Sequence, residues 1–164
     1  MRAQAQPDLE TRATSDHHDA LRLWLRLLAT TNLIEARVRT RLQARFDTTL
    51  PRFDLMAQLE RSPEGLRMRD LSARMMVTGG NITGITDTLE REGLVVREPD
   101  LQDRRAMRVR LTAAGRRIFR AMAEEHERWI IGMFSGLPGR DLAQLGELLG
   151  RVKTHLRATA RGDA

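Results

Sequence analysis

The chain has 164 residues, 41% hydrophobic and 30% charged, enough for one core, or one per protomer of a dimer, and too few for two large domains. Cysteine is absent, which removes disulfides, thiolate nucleophiles and Cys-ligated zinc, and neither a bilayer-length apolar run nor a signal-peptide core is present, so a cytoplasmic protein without membrane association is expected. The net charge of +6 is uneven: residues 67 to 120 hold 12 Arg and 7 acids, a local +5, against 16 basic and 15 acidic residues elsewhere.

Residues 1 to 15 are polar and aperiodic and read as a disordered arm. A long helix follows, with Ser15 or Asp16 as its cap and Leu21, Trp24, Leu25, Leu28, Val38, Leu42 and Phe46 at helical spacing. Thr48, Thr49 and Pro51 mark a break, after which Phe53, Met56 and Leu59 give one face of a shorter helix ending near Arg61. Ser62-Pro63-Glu64-Gly65 is a turn. MRDLSARMMV is a third short helix that buries Leu71 and Met75 and stops at Thr78-Gly79-Gly80.

From Thr78 the run TGGNITGITDTLEREGL places Ile82, Ile85 and Leu89 on one helical face, with Gly80, Gly84, Asp87 and Arg91 roughly opposite. Gly93 closes it as a left-handed cap. LVVRE and AMRVRLT are strands, the second alternating Met107, Val109 and Leu111 against Arg108 and Arg110, and the linker PDLQDRR makes them a hairpin with a basic tip. Thr112 caps a helix through Ile118, Phe119, Met122, Trp129, Ile130 and Met133. Pro138 starts a last helix through Leu142, Leu145, Leu149, Val152 and Leu156.

The expected fold is mainly α with a small β-hairpin wing. Residues 48 to 112 form a winged helix-turn-helix, and 16 to 47 with 113 to 160 form a helical dimerisation region. The second helix of such a unit enters the major groove, where Thr78, Gly79, Gly80, Asn81, Thr83 and Gly84 offer small side chains and close backbone approach. A wing guanidinium suits the narrow, electronegative minor groove, with Arg104 and Arg105 as candidates. The flanking amphipathic helices carry more apolar surface than this module can cover, which predicts a homodimer.

Enzyme chemistry finds little support. His17 and His18 are neighbours that point different ways on a helix, His126 lacks the second His of HExxH, and His155 has no partner at ligand spacing. No Walker loop or serine elbow occurs, and GGNITG does not follow a strand. No catalytic residue, metal or cofactor is expected. The competing class is a helical small-molecule-binding protein or enzyme that does not bind DNA, and salt-dependent DNA binding separates the two.

The run DLSARMMVTGGNITGITDTLEREGLVVREPDLQDRRAMRVRLTAAG, with LEREGLV, the DRR at 103 to 105 and RLTAAG at 110 to 115, resembles the MarR family of bacterial transcriptional regulators. The resemblance covers residues 20 to 157. It implies that Asp103 orients the wing, that Arg105 enters the minor groove and that Arg104 lies nearer the phosphates. It further implies a homodimer on a palindromic operator in double-stranded DNA, released by a small anionic aromatic effector. Family members often carry an arginine where this chain has Gly84 or Thr88, which shifts base reading toward Asn81, Thr83 and the backbone. RLWLRLL at 22 to 28 and FDTTLPRFDLMAQLER at 46 to 61 are similar to a subgroup that responds to aryl thioesters of coenzyme A. That likeness implies a repressor of an aromatic-acid catabolic operon with Trp24, Leu28, Arg37 and Arg39 binding the inducer. The alternative inducer is a free phenolic or aromatic acid.

Overall fold

A computed structural model describes residues 19–75, 79–100, 102, 103 and 105–159. The arm at 1 to 15, the cap at Ser15 or Asp16, His17, His18, Thr78 and Arg104 lie outside the described residues. Helix α1 spans Asp19–Phe46 and α2 spans Leu50–Glu60, followed by β1 at Leu66–Arg67, α3 at Met68–Met75 and α4 at Gly79–Arg91. Strands β2 at Val95–Pro99 and β3 at Met107–Leu111 precede α5 at Ala113–Phe134 and α6 at Gly139–Thr159. The chain divides into two compact units, one ending at Glu124 and the other beginning at Glu125, within α5.

The strands form one antiparallel sheet in the order β1-β3-β2, with Leu66 and Arg97 both opposite Val109. The hairpin expected from sequence is therefore a three-stranded sheet. Strand β1 has two residues, too few to show alternation, and it forms because β3 offers it an edge. Val95, Val109 and Leu111 face inward and are buried, whereas Met107, of the same parity, is 41% exposed because it lies at the wing end, beyond the core.

The core of the first unit joins Val38 and Leu42 of α1, Phe53, Leu55, Met56 and Leu59 of α2, Leu71 of α3, Ile82 and Leu89 of α4, and Phe119 and Met122 of α5. Phe53 and Phe119 meet with ring centroids 5.5 Å apart. Met75, expected in the core, is only half-buried at the end of α3. The break after α1 turns at Asp47, whose φ of 48° is left-handed, and Gln43 Nε2 donates to its Oδ1 at 2.7 Å. Aspartate is among the few side chains that accept this conformation.

Helix α4 ends as the glycine predicts. Gly93 has φ 72°, its N–H donates to Glu90 O at 2.9 Å, and Leu94 N–H donates to Leu89 O at 2.9 Å. This is a Schellman motif, which satisfies carbonyls that the helix leaves open. Leu94 O in turn accepts the Thr112 N–H at 3.0 Å, and the Thr112 hydroxyl donates to Gly93 O at 2.7 Å. The same hydroxyl accepts the Gly115 N–H at 3.0 Å, capping α5.

A Cβ at Gly115 would stand 2.0 Å from Leu94 O. Gly115→Ala is therefore expected to destabilise the protein by about 1–3 kcal/mol through backbone displacement, although alanine ordinarily favours a helix over glycine. Thermal unfolding checks this, and a melting temperature at or above the parent's would show that the junction has room.

Candidate nucleic-acid interface

Helix α4 has two faces of opposite character. Ile82, Thr86 and Leu89 are fully buried, and the Thr86 hydroxyl donates to Ile82 O at 2.7 Å, so its polar group is satisfied inside the helix. Asn81, Thr83, Gly84, Asp87 and Arg91 are exposed. Gly80 lies in the first turn, so the helix presents small residues where it begins. A Cβ at Gly84 would have nothing within 4 Å, so no packing inside the chain requires glycine there. The Thr88 hydroxyl, where the family resemblance leads one to look for arginine, donates to Gly84 O at 3.0 Å and accepts from Arg91 Nη2 at 3.3 Å.

The acids of α4 are held by arginines. Arg97 on β2 donates from its side chain to Asp87 and Glu90, and its backbone N–H donates to Glu90 Oε1 at 3.0 Å. Arg52 of α2 pairs with Glu92, and Arg110 pairs across the sheet with Glu98, drawing that carboxyl below its ordinary range. Much of the acidic charge between residues 67 and 120 is thus compensated locally.

The wing depends on Asp100, a residue that in sequence is only one of the turn residues of PDLQDRR. Its carboxylate is 2% exposed and accepts five hydrogen bonds. Arg67 of β1 donates twice, from Nε and Nη2, each at 2.9 Å, and Arg108 of β3 donates from Nε at 2.7 Å. The backbone N–H groups of Gln102 and Asp103 donate to Oδ1 at 2.9 and 3.0 Å. At the tip, Asp103 Oδ1 accepts the Arg105 N–H at 3.1 Å, and Asp103 O accepts that of Ala106 at 2.8 Å. Arg105 is exposed, and the structure brings it together with Asp103.

The candidate effector residues are less closely grouped. Trp24 and Leu28 are exposed on α1, and Arg39, 4.0 Å from Glu35, lines a cleft of about 590 Å³ with Thr40, Gln43, Thr49 and Pro51. At 3.6 residues per turn, Leu28 and Arg39 fall within about 60° of Trp24, but Arg37 is about 140° away. The helical wheel already separates Arg37 from the others. A second cleft of about 310 Å³ is lined by Phe46, Met56, Leu94 and Ile118, with the Arg52–Glu92 pair in its wall. Among the described residues no cluster of three or more His, Cys, Asp or Glu could hold a metal, and no helix is long and apolar enough to cross a membrane.

Arg67, followed by the Gln102 N–H, is the largest influence on the Asp100 carboxyl, which is held well below its ordinary value. An unfolded aspartate titrates near about 3.9, so this contribution to stability is complete above that pH and is lost as pH falls toward the folded value. The melting temperatures of the parent and of Asp100→Asn should therefore differ at neutral pH and converge below about pH 4. Parallel curves across that window would show that Asp100 is not held by this pairing.

Residues 48–107 match the profile of the MarR family. The chain is 33% identical over 89 residues to YkoM, an uncharacterized HTH-type transcriptional regulator of Bacillus subtilis, covering 54% of this chain and 58% of that protein. It is 30% identical over 119 residues to the transcriptional activatory protein BadR of Rhodopseudomonas palustris, covering 71% and 67%. Among solved structures it is similar to AbsC, a MarR family transcriptional regulator from Streptomyces coelicolor, with TM-score 0.74, 25% identity and 89% and 99% of the two chains covered. It is also similar to Streptococcus pneumoniae FabT in complex with DNA, with TM-score 0.71, 25% identity and 85% and 99% covered.

Proposed function

Because the chain belongs to the MarR family of DNA-binding transcriptional regulators, we propose that it works as a homodimeric repressor in the cytoplasm, released from its operator by an aromatic effector. The observation that carries the DNA-binding mode is the two-faced α4 beside an arginine-tipped wing. Asn81, Thr83 and the backbone at Gly80 and Gly84 face base edges, and Thr78 is assigned to the same DNA-binding set. Arg105 takes the minor groove and Arg104 the phosphates. The regions 16 to 47 and 113 to 160 form the dimerisation surface, leaving 48 to 112 as the DNA module. Support comes from exposed Leu148, Leu149, Val152 and Leu156, one apolar face of α6 that water does not favour, and from exposed Leu21 on α1.

Binding to promoter fragments from the protein's own locus, measured by fluorescence anisotropy across a salt series, tests this reading. Affinity should fall steeply with salt, and Arg105→Ala should cost about 1–3 kcal/mol and flatten the salt slope by about one unit. Gly84→Ala should raise stability by up to about 1 kcal/mol yet weaken binding, because the new methyl stands between helix and DNA. If no fragment binds at low salt, the reading fails. BadR is a transcriptional activatory protein, so a reporter gene decides the sign here, and expression that rises with the protein would replace repression by activation.

For the effector, the proposal is an aryl thioester of coenzyme A, which places the protein in control of aromatic-acid catabolism. Its acyl group lies by Trp24 and Leu28, and its phosphates meet Arg39. These positions are 15 residues apart, about 22 Å along α1, a separation that suits an extended thioester and not a compact free acid. Arg37, on the other side of the helix, is the weaker member of the set. The smaller cleft beside Arg52 favours the second reading, a free phenolic or aromatic acid.

Titrating p-coumaroyl-CoA, benzoyl-CoA and the free acids into the protein–DNA complex separates the two effectors. Thioesters should release DNA, with Arg39→Ala demanding about 10-fold more ligand or greater and Arg37→Ala close to the parent. Release by free acids alone, blunted by Arg52→Ala, would move the effector to the smaller cleft.

A further inference from the structure

Two of the arginines in the most basic third of the chain are engaged by a single acid. Arg67 and Arg108 converge on one carboxylate, that of Asp100, from β1 and β3, so both guanidiniums are occupied within the protein. Arg108 also donates from Nη1 to Glu64 O at 3.0 Å, in the turn that precedes β1. The Asp100 N–H donates to Ala106 O at 2.9 Å, closing the loop on which Arg105 sits. A chain of short contacts therefore runs from β1 through Arg67 to Asp100, then to the N–H of Asp103, and from the Asp103 carboxylate to the N–H of Arg105. Strand β1 leads directly into α3 and is thus continuous with the helical half of the module.

We propose that Asp100 is a positioning residue for DNA binding: by clamping Arg67 and Arg108 it fixes where the wing presents Arg105, without itself or either arginine touching DNA. The physical reason is geometric. A hairpin tip is joined to the rest of the module only through its two strands, and an unclamped tip samples many orientations, so its guanidinium meets a groove fixed by α4 only part of the time. A buried carboxylate that accepts two bonds from one planar guanidinium sets direction as well as distance. The neutral amide of asparagine keeps the shape but offers one acceptor atom in place of two, so either Arg108 and Arg67 Nε, or the N–H groups of Gln102 and Asp103 with Arg67 Nη2, lose their acceptor, and the link from β1 and β3 to the tip is broken at one end.

This inference rests on the proposed role of Arg105, and a double-mutant cycle distinguishes failure of the one from failure of the other. Operator affinity is measured for the full-length parent, Asp100→Asn, Arg105→Ala and the double variant, at a temperature where far-UV circular dichroism shows each to be folded. Asp100→Asn should weaken binding by about 10-fold or more, and Arg105→Ala, costly in the parent, should change affinity less than about twofold in the Asp100→Asn background. Should Asp100→Asn fail to fold, Arg67→Lys replaces it in the cycle, since an ammonium keeps the charge but cannot reproduce the paired donors. If Arg105→Ala costs the same factor in both backgrounds, Asp100 stabilises the fold without positioning the wing, and the inference is wrong. If Arg105→Ala has no effect even in the parent, the wing arginine is misassigned and the inference falls with it.

Discussion

Helix α4, the wing and the long helix α5 that follows are all referenced to one stretch of backbone, Gly93–Leu94. The carbonyls of these two residues accept from the Thr112 hydroxyl and N–H, and that hydroxyl caps α5 by accepting from Gly115. The C-terminal end of α4, the start of β2 and the start of α5 therefore cannot move independently, because each borrows a backbone hydrogen bond from the others. A left-handed glycine and a helix position with no room for a methyl group are the two conditions that this arrangement imposes on the sequence.

Electrostatics then shape the surface that this scaffold presents. A polyanion binder needs positive potential where it meets phosphate, but acids are also needed to hold strands and helices together. Here the two demands are separated in space. Asp87 and Glu90 are paired with Arg97, Glu98 with Arg110, and Asp100 is buried against two arginines. What distinguishes Arg105 from these arginines is position and not charge: it is exposed at a tip whose backbone, more than its side chain, is fixed by neighbouring acids.

Features set by neighbours in sequence could be read in advance. The glycine cap of α4, the threonine cap of α5, the turn before β1 and the alternation of Val109 and Leu111 each follow from residues within a few positions of one another. Features that depend on distant partners could not. Asp100 and Arg67 are 33 residues apart, and nothing near Asp100 sets it apart from Asp103, the acid that lies next to the wing arginines. Leu55 and Thr86 are fully buried although neither belongs to the apolar stripe legible in its helix, because each of these helices is covered on more than one side. In the candidate site, the exposed stripe of α4 and the basic wing were visible as patterns. On α1, Arg37 stands about 140° from Trp24 around the helix, a separation that position along the chain does not by itself display.

Helix α6 has a consequence of its own. None of its residues is buried, whereas helices in proteins draw most of their stability from tertiary packing. In the proposed homodimer its order comes from the second copy, so the equilibrium that folds it is bimolecular. At low abundance the dimer then grows with the square of the monomer concentration, and a twofold change in synthesis yields up to about a fourfold change in the binding-competent form. A regulator built this way responds to its own gene dosage more steeply than a monomeric binder could, before any effector is present.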